Sequence, residues 1–178
     1  MAAMSGRLAA RRAQRKRGPD DEPDDHALGR SRGGWGTKFH LVTEGRGVPL
    51  AVQVSAGQAH ESKSFEAVVE AVPIRQGRWP EQLSGDKGYS IPRVRNWLAE
   101  RDIGDVVARR SDQRSACDDS FDREAYRRRN GVERCVGWLK ECRRIATRFE
   151  KLAVNYLAML KLAMIERYLR LMTGSSCR

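Results

Sequence analysis

The chain has 178 residues, enough for one domain with a genuine core and too few for several. Charged residues make up 32% and hydrophobic ones 40%, a balance typical of soluble globular proteins. The formal charge of +11 favours a polyanionic partner, because each Lys or Arg set against a phosphate releases condensed counterion. Composition alone does not separate a DNA enzyme from a packaging protein or a ribosomal one. The basic N-terminus is followed by no apolar stretch, so it does not read as a secretory signal. The longest apolar region, Leu152 to Met172, is interrupted by Lys161, Glu166, Arg167 and Arg170 and cannot span a bilayer. Cys117, Cys135, Cys142 and Cys177 form no CxxC and no paired zinc spacing. Cys135 and Cys142, seven apart on one expected helix face, read as small buried thiols. The chain reads as cytoplasmic, with reduced cysteines and no membrane partner.

Along the chain, residues 1–28 stand apart. Arg7, Arg11, Arg12, Arg15, Lys16 and Arg17 come without an acid, and Asp20 to Asp25 then form an acidic cluster around prolines. With few large apolar residues this stretch is expected to be mobile, serving as a solvated tail or as a DNA-contacting arm. Trp35 to Val42 alternates with period two, Glu44-Gly45-Arg46-Gly47 is a turn, and Val48, Leu50, Val52 and Val54 alternate again: a hairpin. Phe65, Val68, Val69 and Val72 follow helical spacing up to Pro73. A short strand around Leu83 ends at Gly85-Asp86-Lys87-Gly88, and Pro92 opens a helix with Val94, Trp97 and Leu98 on its apolar side. Ile103 to Val107 is a short β-branched strand, followed by an Arg-rich loop over roughly Arg109 to Ser120. From Phe121 the pattern is helical, in two long segments joined near Ala146. The order is that of an α/β domain with a mixed sheet, over 29–172, with a disordered tail at 173–178.

Three places invite chemistry. Gly29-Arg30-Ser31-Arg32-Gly33 matches the spacing of a serine nucleophile elbow, but that motif needs a strand turning into a helix, and here a polar loop precedes and a strand follows. A serine hydrolase is therefore rejected. Asp86 sits where an apolar strand ends between glycines, where α/β sheets place ligand-facing groups and where a carboxylate can hold a divalent cation. An Asp in a Gly-rich turn is equally a turn former, and local pattern favours that role. On the helix from Phe121, at about 100° per residue, Tyr126, Arg129 and Lys140 all fall within about 40° of Glu133. That stripe suits an anionic substrate and a metal, although an ordinary Arg–Glu pair would have the same spacing.

These residues also carry a resemblance. From Gly29 to about Arg170 the chain resembles the catalytic domain of bacterial insertion-sequence transposases of the DDE class, in the group named after insertion sequence five. The matching stretches are Gly29 to Gly34 leading into Thr37-Lys38, Ala56 to Glu61, Gly85 to Tyr89, Arg129 to Lys140, and Ala146 to Lys151. The family's Y-x2-R-x3-E-x6-K signature is met without a gap by Tyr126, Arg129, Glu133 and Lys140.

The resemblance implies a ribonuclease-H-like mixed sheet flanked by helices. It also implies three carboxylates holding two divalent ions, Mg2+ or Mn2+, against a phosphodiester of transposon-end or target DNA. Asp86 would be the second carboxylate and Glu133 the third, both catalytic and metal-binding. Arg129 and Lys140 would contact phosphate or steady Glu133, Tyr126 would line the same groove, and Arg109, Arg110 and Arg114 would add DNA contacts. His60-Glu61, opening the helix after the hairpin, is given a structural N-terminal role in preference to an active-site one.

Two departures qualify the implied activity. The family's first Asp belongs on the first, central strand, and this chain has no acid before Asp20 and no β-type apolar run in residues 1–28. The expectation is an N-terminally truncated domain lacking its central strand and one metal ligand. The second departure is Gly131 inside the signature helix, which costs about 1 kcal/mol against alanine and with Asn130 signals a turn. Packing is expected to keep the helix. The functional expectation is a transposase-derived protein for DNA transposition, inactive alone: either a remnant of a decayed element or the downstream half of an enzyme completed by an upstream reading-frame product. The alternative is a non-catalytic, nucleoid-associated DNA-binding remnant or regulator of a full-length transposase.

Overall fold

The computed structural model describes residues 1–10, 24–32, 34–74, 78–108 and 122–174. The hairpin expected from period-two alternation is present as β3 (Gly34–Thr43) and β4 (Pro49–Ala56), antiparallel from Thr37↔Ala56 to Thr43↔Pro49. Its turn is closed by Glu44, whose Oε1 accepts from the amides of Arg46 at 2.6 Å and Val48 at 3.1 Å. Beyond the hairpin come α1 (Phe65–Glu70), β5 (Gln82–Gly85), α2 (Pro92–Ala99, opened by its proline) and β6 (Gly104–Val107), in the order read from the sequence.

The centre of the sheet overturns one expectation. Ala2–Ala10, read as part of a mobile basic segment, is β1 and occupies the central position. It pairs antiparallel with β3 from Ala2↔Thr43 to Ala9↔Gly36, and parallel with β5 through Ala2↔Ser84 and Ala3↔Gly85. The domain therefore does not lack its central strand. A central strand is held by backbone hydrogen bonds on both edges, and where helices press on both faces small residues serve; Ala, Ser and Gly carry little β-propensity for a pattern to detect. Residues 11–23, the remainder of the basic run and most of the acidic cluster, lie outside the described residues.

Hydrogen-bonded neighbours run β2–β3–β1–β5–β6, with β4 also on β3 and β7 also on β1. The β3 pairings are antiparallel; β1, β5, β6 and β7 run parallel. Two of these strands were not anticipated. β2 (Gly29–Ser31) pairs back on β3, whose first residue Gly34 takes φ +96°, so Ser31 lies in a strand of a hairpin and not at a strand-to-helix elbow. β7 (Thr147–Arg148) sits where a helix joint was expected and pairs with Ala9 and Ala10.

Strand alternation divides the core. Ala3, Val42, Ala51, Leu83 and Val107 face α1 and α2, where Phe65, Tyr89 and Trp97 form an aromatic cluster with centroids 5.3 and 5.6 Å from Phe65. Ala2, Phe39, Leu41 and Val52 face the opposite way, against α4 (Asn130–Glu141) and α6 (Ala153–Met172). The helical stretch from residue 122 is broken: α3 (Arg123–Arg128), capped by Asp122, gives way at Arg129 to α4, and α5 (Arg143–Ala146) follows Cys142. Cys135 is buried in α4, and burial pushes its thiol up to about 11. Cys142 caps the helix end and is exposed, contrary to the shared buried face expected of the two.

Gly131 keeps its helix, as expected of packing. A Cβ on Gly47 would meet the Gly131 carbonyl oxygen at 2.5 Å, and one on Gly131 would lie 3.1 Å from the Gly47 amide. The first turn of α4 thus rests directly on the hairpin turn, backbone against backbone, a contact that β-carbons at this pair of positions would spread apart.

Candidate functional site

Asp86 follows the last residue of β5. Its Oδ1 accepts from the Lys87 amide at 2.7 Å, capping the 3-10 turn Lys87–Tyr89 that leads away from the sheet. Gly85 permits this crossing point, because a Cβ there would meet Val107 at 3.0 Å. The side chain remains 43% exposed, so the turn role leaves it available to a ligand.

Arg129, at the break between α3 and α4, reaches both candidate carboxylates. Its Nη2 donates to Glu133 Oε1 at 2.6 Å, and its Nη1 lies 3.8 Å from Asp86 Oδ1. Its guanidinium carbon stands 4.8 Å from the centre of the Tyr126 ring. Three members of the Tyr–Arg–Glu–Lys stripe therefore meet around one cation that also contacts Asp86. The Arg129 side chain is 14% exposed, and those of Asp86 and Glu133 are each about two-fifths exposed. Lys140 lies two turns further along α4, about 10 Å of rise from Glu133, and is exposed. Arg109, Arg110 and Arg114 lie outside the described residues.

A groove beside Asp86 is lined by Ser31, Arg32, Lys38, Gly57, Gln58 and Glu61. Lys38, on β3, donates to Glu61 Oε1 at 2.7 Å and to the Ala59 carbonyl at 2.8 Å. Burial of Glu61 opposes ionisation, but the Lys38 ammonium and local hydrogen bonds outweigh it and hold its carboxyl below the usual range. Gly88 lets Glu61 lie close over the turn after Asp86; a Cβ there would stand 3.2 Å from Glu61 Oε2. Beneath this pair His40 is fully buried, with Nε2 2.8 Å from the Ser55 hydroxyl and Nδ1 3.4 Å from the Tyr89 hydroxyl. Burial pushes the imidazole down to about 4, Glu61 opposing and Lys38 assisting the shift.

His60 takes the structural role expected of it: Nδ1 accepts from the Ser62 amide at 3.3 Å and lies 2.7 Å from the Ser62 hydroxyl, capping Glu61–Ser64. Glu61 itself faces the groove, which its place at a helix start did not indicate. The available signal was a Lys in the middle of an apolar strand, which needs a carboxylate within reach.

The described residues do not fit the two-metal set implied by the resemblance. Ala3 pairs with Gly85, which brings Met4 level with Asp86 on the central strand, and Met1 to Ala10 contain no acid. Among the described residues no group of three His, Cys, Asp or Glu could hold a metal ion. Asp86 and Glu133 are joined instead through Arg129, whose charge a cation between them would have to displace. What the arrangement offers is an open groove with Arg32 and Lys38 on its walls and, beside Asp86, a guanidinium stacked on a ring.

Residues 13–165 match the transposase DDE domain family. A Burkholderia cepacia protein named as a transposase for insertion sequence element IS402 is 30% identical over 133 residues. That match takes in 71% of this chain and 60% of the relative, so it spans less than two thirds of the relative's length.

Proposed function

Because this chain belongs to the DDE transposase family, we propose that it is a transposase-derived domain that holds DNA along the Asp86 groove and does not cut it unaided. The observation that carries the reading is the position of Arg129 between Asp86 and Glu133, opposite a central strand without a carboxylate. The family's chemistry requires three carboxylates to hold divalent ions, Mg2+ or Mn2+, at the scissile phosphate. Here the cationic side chains serve attraction instead. Arg32, exposed on the β2–β3 turn, faces the path of a phosphate backbone along the groove, and the surplus of eleven positive charges draws it in.

Tyr126 and Arg129 form the far side of the site, with Lys140 further along the same helix to extend the contact. A domain that binds transposon ends or target DNA without cutting would compete with, or be completed by, a full-length transposase or an upstream reading-frame product. It would reside with the DNA at the nucleoid.

Mn2+ titration followed by electron paramagnetic resonance tests the cutting half of the proposal. The expected result is no site tighter than about 10⁻⁴ M, the range of the weakest protein sites for a divalent ion, in wild type, Asp86→Asn or Glu133→Gln. A tighter wild-type site abolished by both substitutions would overturn it.

A further inference from the structure

The long helix α6 has two apolar faces, and the domain uses one. Tyr156, Leu160, Ala163 and Met164 are buried against the sheet. On the opposite side Leu162 is 57% exposed, Ile165 52%, Leu169 56% and Met172 83%. The exposed set follows a strict alternation of three and four residues: Asn155, Ala158, Leu162, Ile165, Leu169, Met172, all exposed. That is the a/d spacing of a coiled-coil seam, with Asn155, Leu162 and Leu169 at a and Ala158, Ile165 and Met172 at d. It extends over about 26 Å of helix.

We propose that this face docks against the same face of a second copy of the chain, the two α6 helices lying parallel about a two-fold axis. Two observations identify the occupant. The first is Asn155: a polar Asn at a single a position pairs with its own equivalent in a parallel dimer and fixes the register, whereas an unrelated apolar partner would leave it unsatisfied. The second is charge. Lys161 stands at the g position before Leu162 and Glu166 at the e position after Ile165, both exposed.

Residues at g and at the following e face each other between parallel helices, so a two-fold pair makes the Lys161–Glu166 contact twice. An antiparallel pair sets g against g and e against e and makes neither. Glu166 also binds Arg170 of its own helix at 2.5 Å, which orients its carboxylate along this edge.

Leu at a with Ile at d favours more than two strands for free helices. In α6 half the circumference is committed to the core, which leaves one partner face. The helix is already ordered by that core, so docking bears no folding cost of its own. The closed two-fold pairing also covers the contiguous apolar row Leu162, Ile165, Leu169 and Met172.

The test is the mass of the full chain in solution without DNA, by sedimentation equilibrium. Wild type is expected at twice the monomer mass. Ile165→Glu, at an exposed position, is expected at the monomer mass with an unchanged circular dichroism spectrum. Lys161→Glu should weaken association several-fold, and Lys161→Glu combined with Glu166→Lys should restore it. A monomeric wild type, or a dimer that survives Ile165→Glu, would overturn the proposal. So would failure of the double reversal to restore association, because the helices would then not be parallel.

Discussion

Arg129 contributes to stability in proportion to how dry its partners are. Asp86 and Glu133 are each about two-fifths exposed, so removing the guanidinium lets both carboxylates hydrate freely. Arg129→Ala should therefore cost only about 1–2 kcal/mol in urea denaturation, the sum of weak ion pairs and one ring stack. A loss above about 4 kcal/mol would show uncompensated buried charge instead.

His40 behaves oppositely. Its folded value, about 4, lies below the value of about 6.5 in an unfolded chain. Above that higher value both states are neutral and His40 has no effect. As pH falls from 6.5 to 4 only the unfolded chain takes the proton, and stability drops by about 3 kcal/mol across the window. Glu61, held low by Lys38, contributes stability above its unfolded value that is lost further down, as pH falls below about 4.5. Stability measured against pH should thus begin to fall near 6.5 in wild type, and His40→Gln should flatten the upper part of that fall. An unchanged slope in the variant would remove His40 as its cause.

At the scale of elements, two contacts decide how the helices sit. Gly131→Ala in an exposed helix would gain about 1 kcal/mol. Here the new methyl meets the Gly47 amide at 3.1 Å and the Gly45 carbonyl at 3.3 Å, so thermal melting should show no gain. Stabilisation by the full propensity difference would mean that the helix and turn are not in contact. Arg148 is 5% exposed and binds the segment after β7 together. It donates to the Glu150 carbonyl at 2.8 Å, the Lys151 carbonyl at 2.7 Å and the Thr37 hydroxyl, and it lies over Tyr156. Arg148→Met should cost about 3 kcal/mol or more, since it strands several buried acceptors; a loss under about 1 kcal/mol would show them to be hydrated.

These elements differ in how visible they are from sequence. β3 and β4 announce themselves through alternating residues on either side of a Gly-rich turn, and α2 through a helical period with one face on the core. β1 is central, built of small residues, and held by partners distant in sequence, so no local pattern marks it. β2 and β7 are too short for any period. The Tyr126–Arg129–Glu133 edge was legible because helical spacing is local. Lys38 and Glu61, 23 residues apart on a strand and a 3-10 turn, meet only through the tertiary fold.

For the whole molecule, the governing features are the positive surplus and the groove beside Asp86. The mixed sheet brings Asp86 from the end of β5 together with Arg129 from the helix break, and sets Arg32 and Lys38 along one wall beside them. The match of residues 13–165 to the transposase DDE domain family places the chain there; how this polypeptide uses the groove depends on its own residues. The most direct test of DNA binding in that groove is equilibrium affinity for duplex DNA, measured by fluorescence anisotropy across a series of salt concentrations. Log affinity should fall linearly with log salt. Arg32→Ala should weaken binding to all sequences alike and reduce the slope by about 1, the loss of one phosphate contact. No binding at low salt, or a slope and affinity unchanged in Arg32→Ala, would contradict DNA binding in the groove.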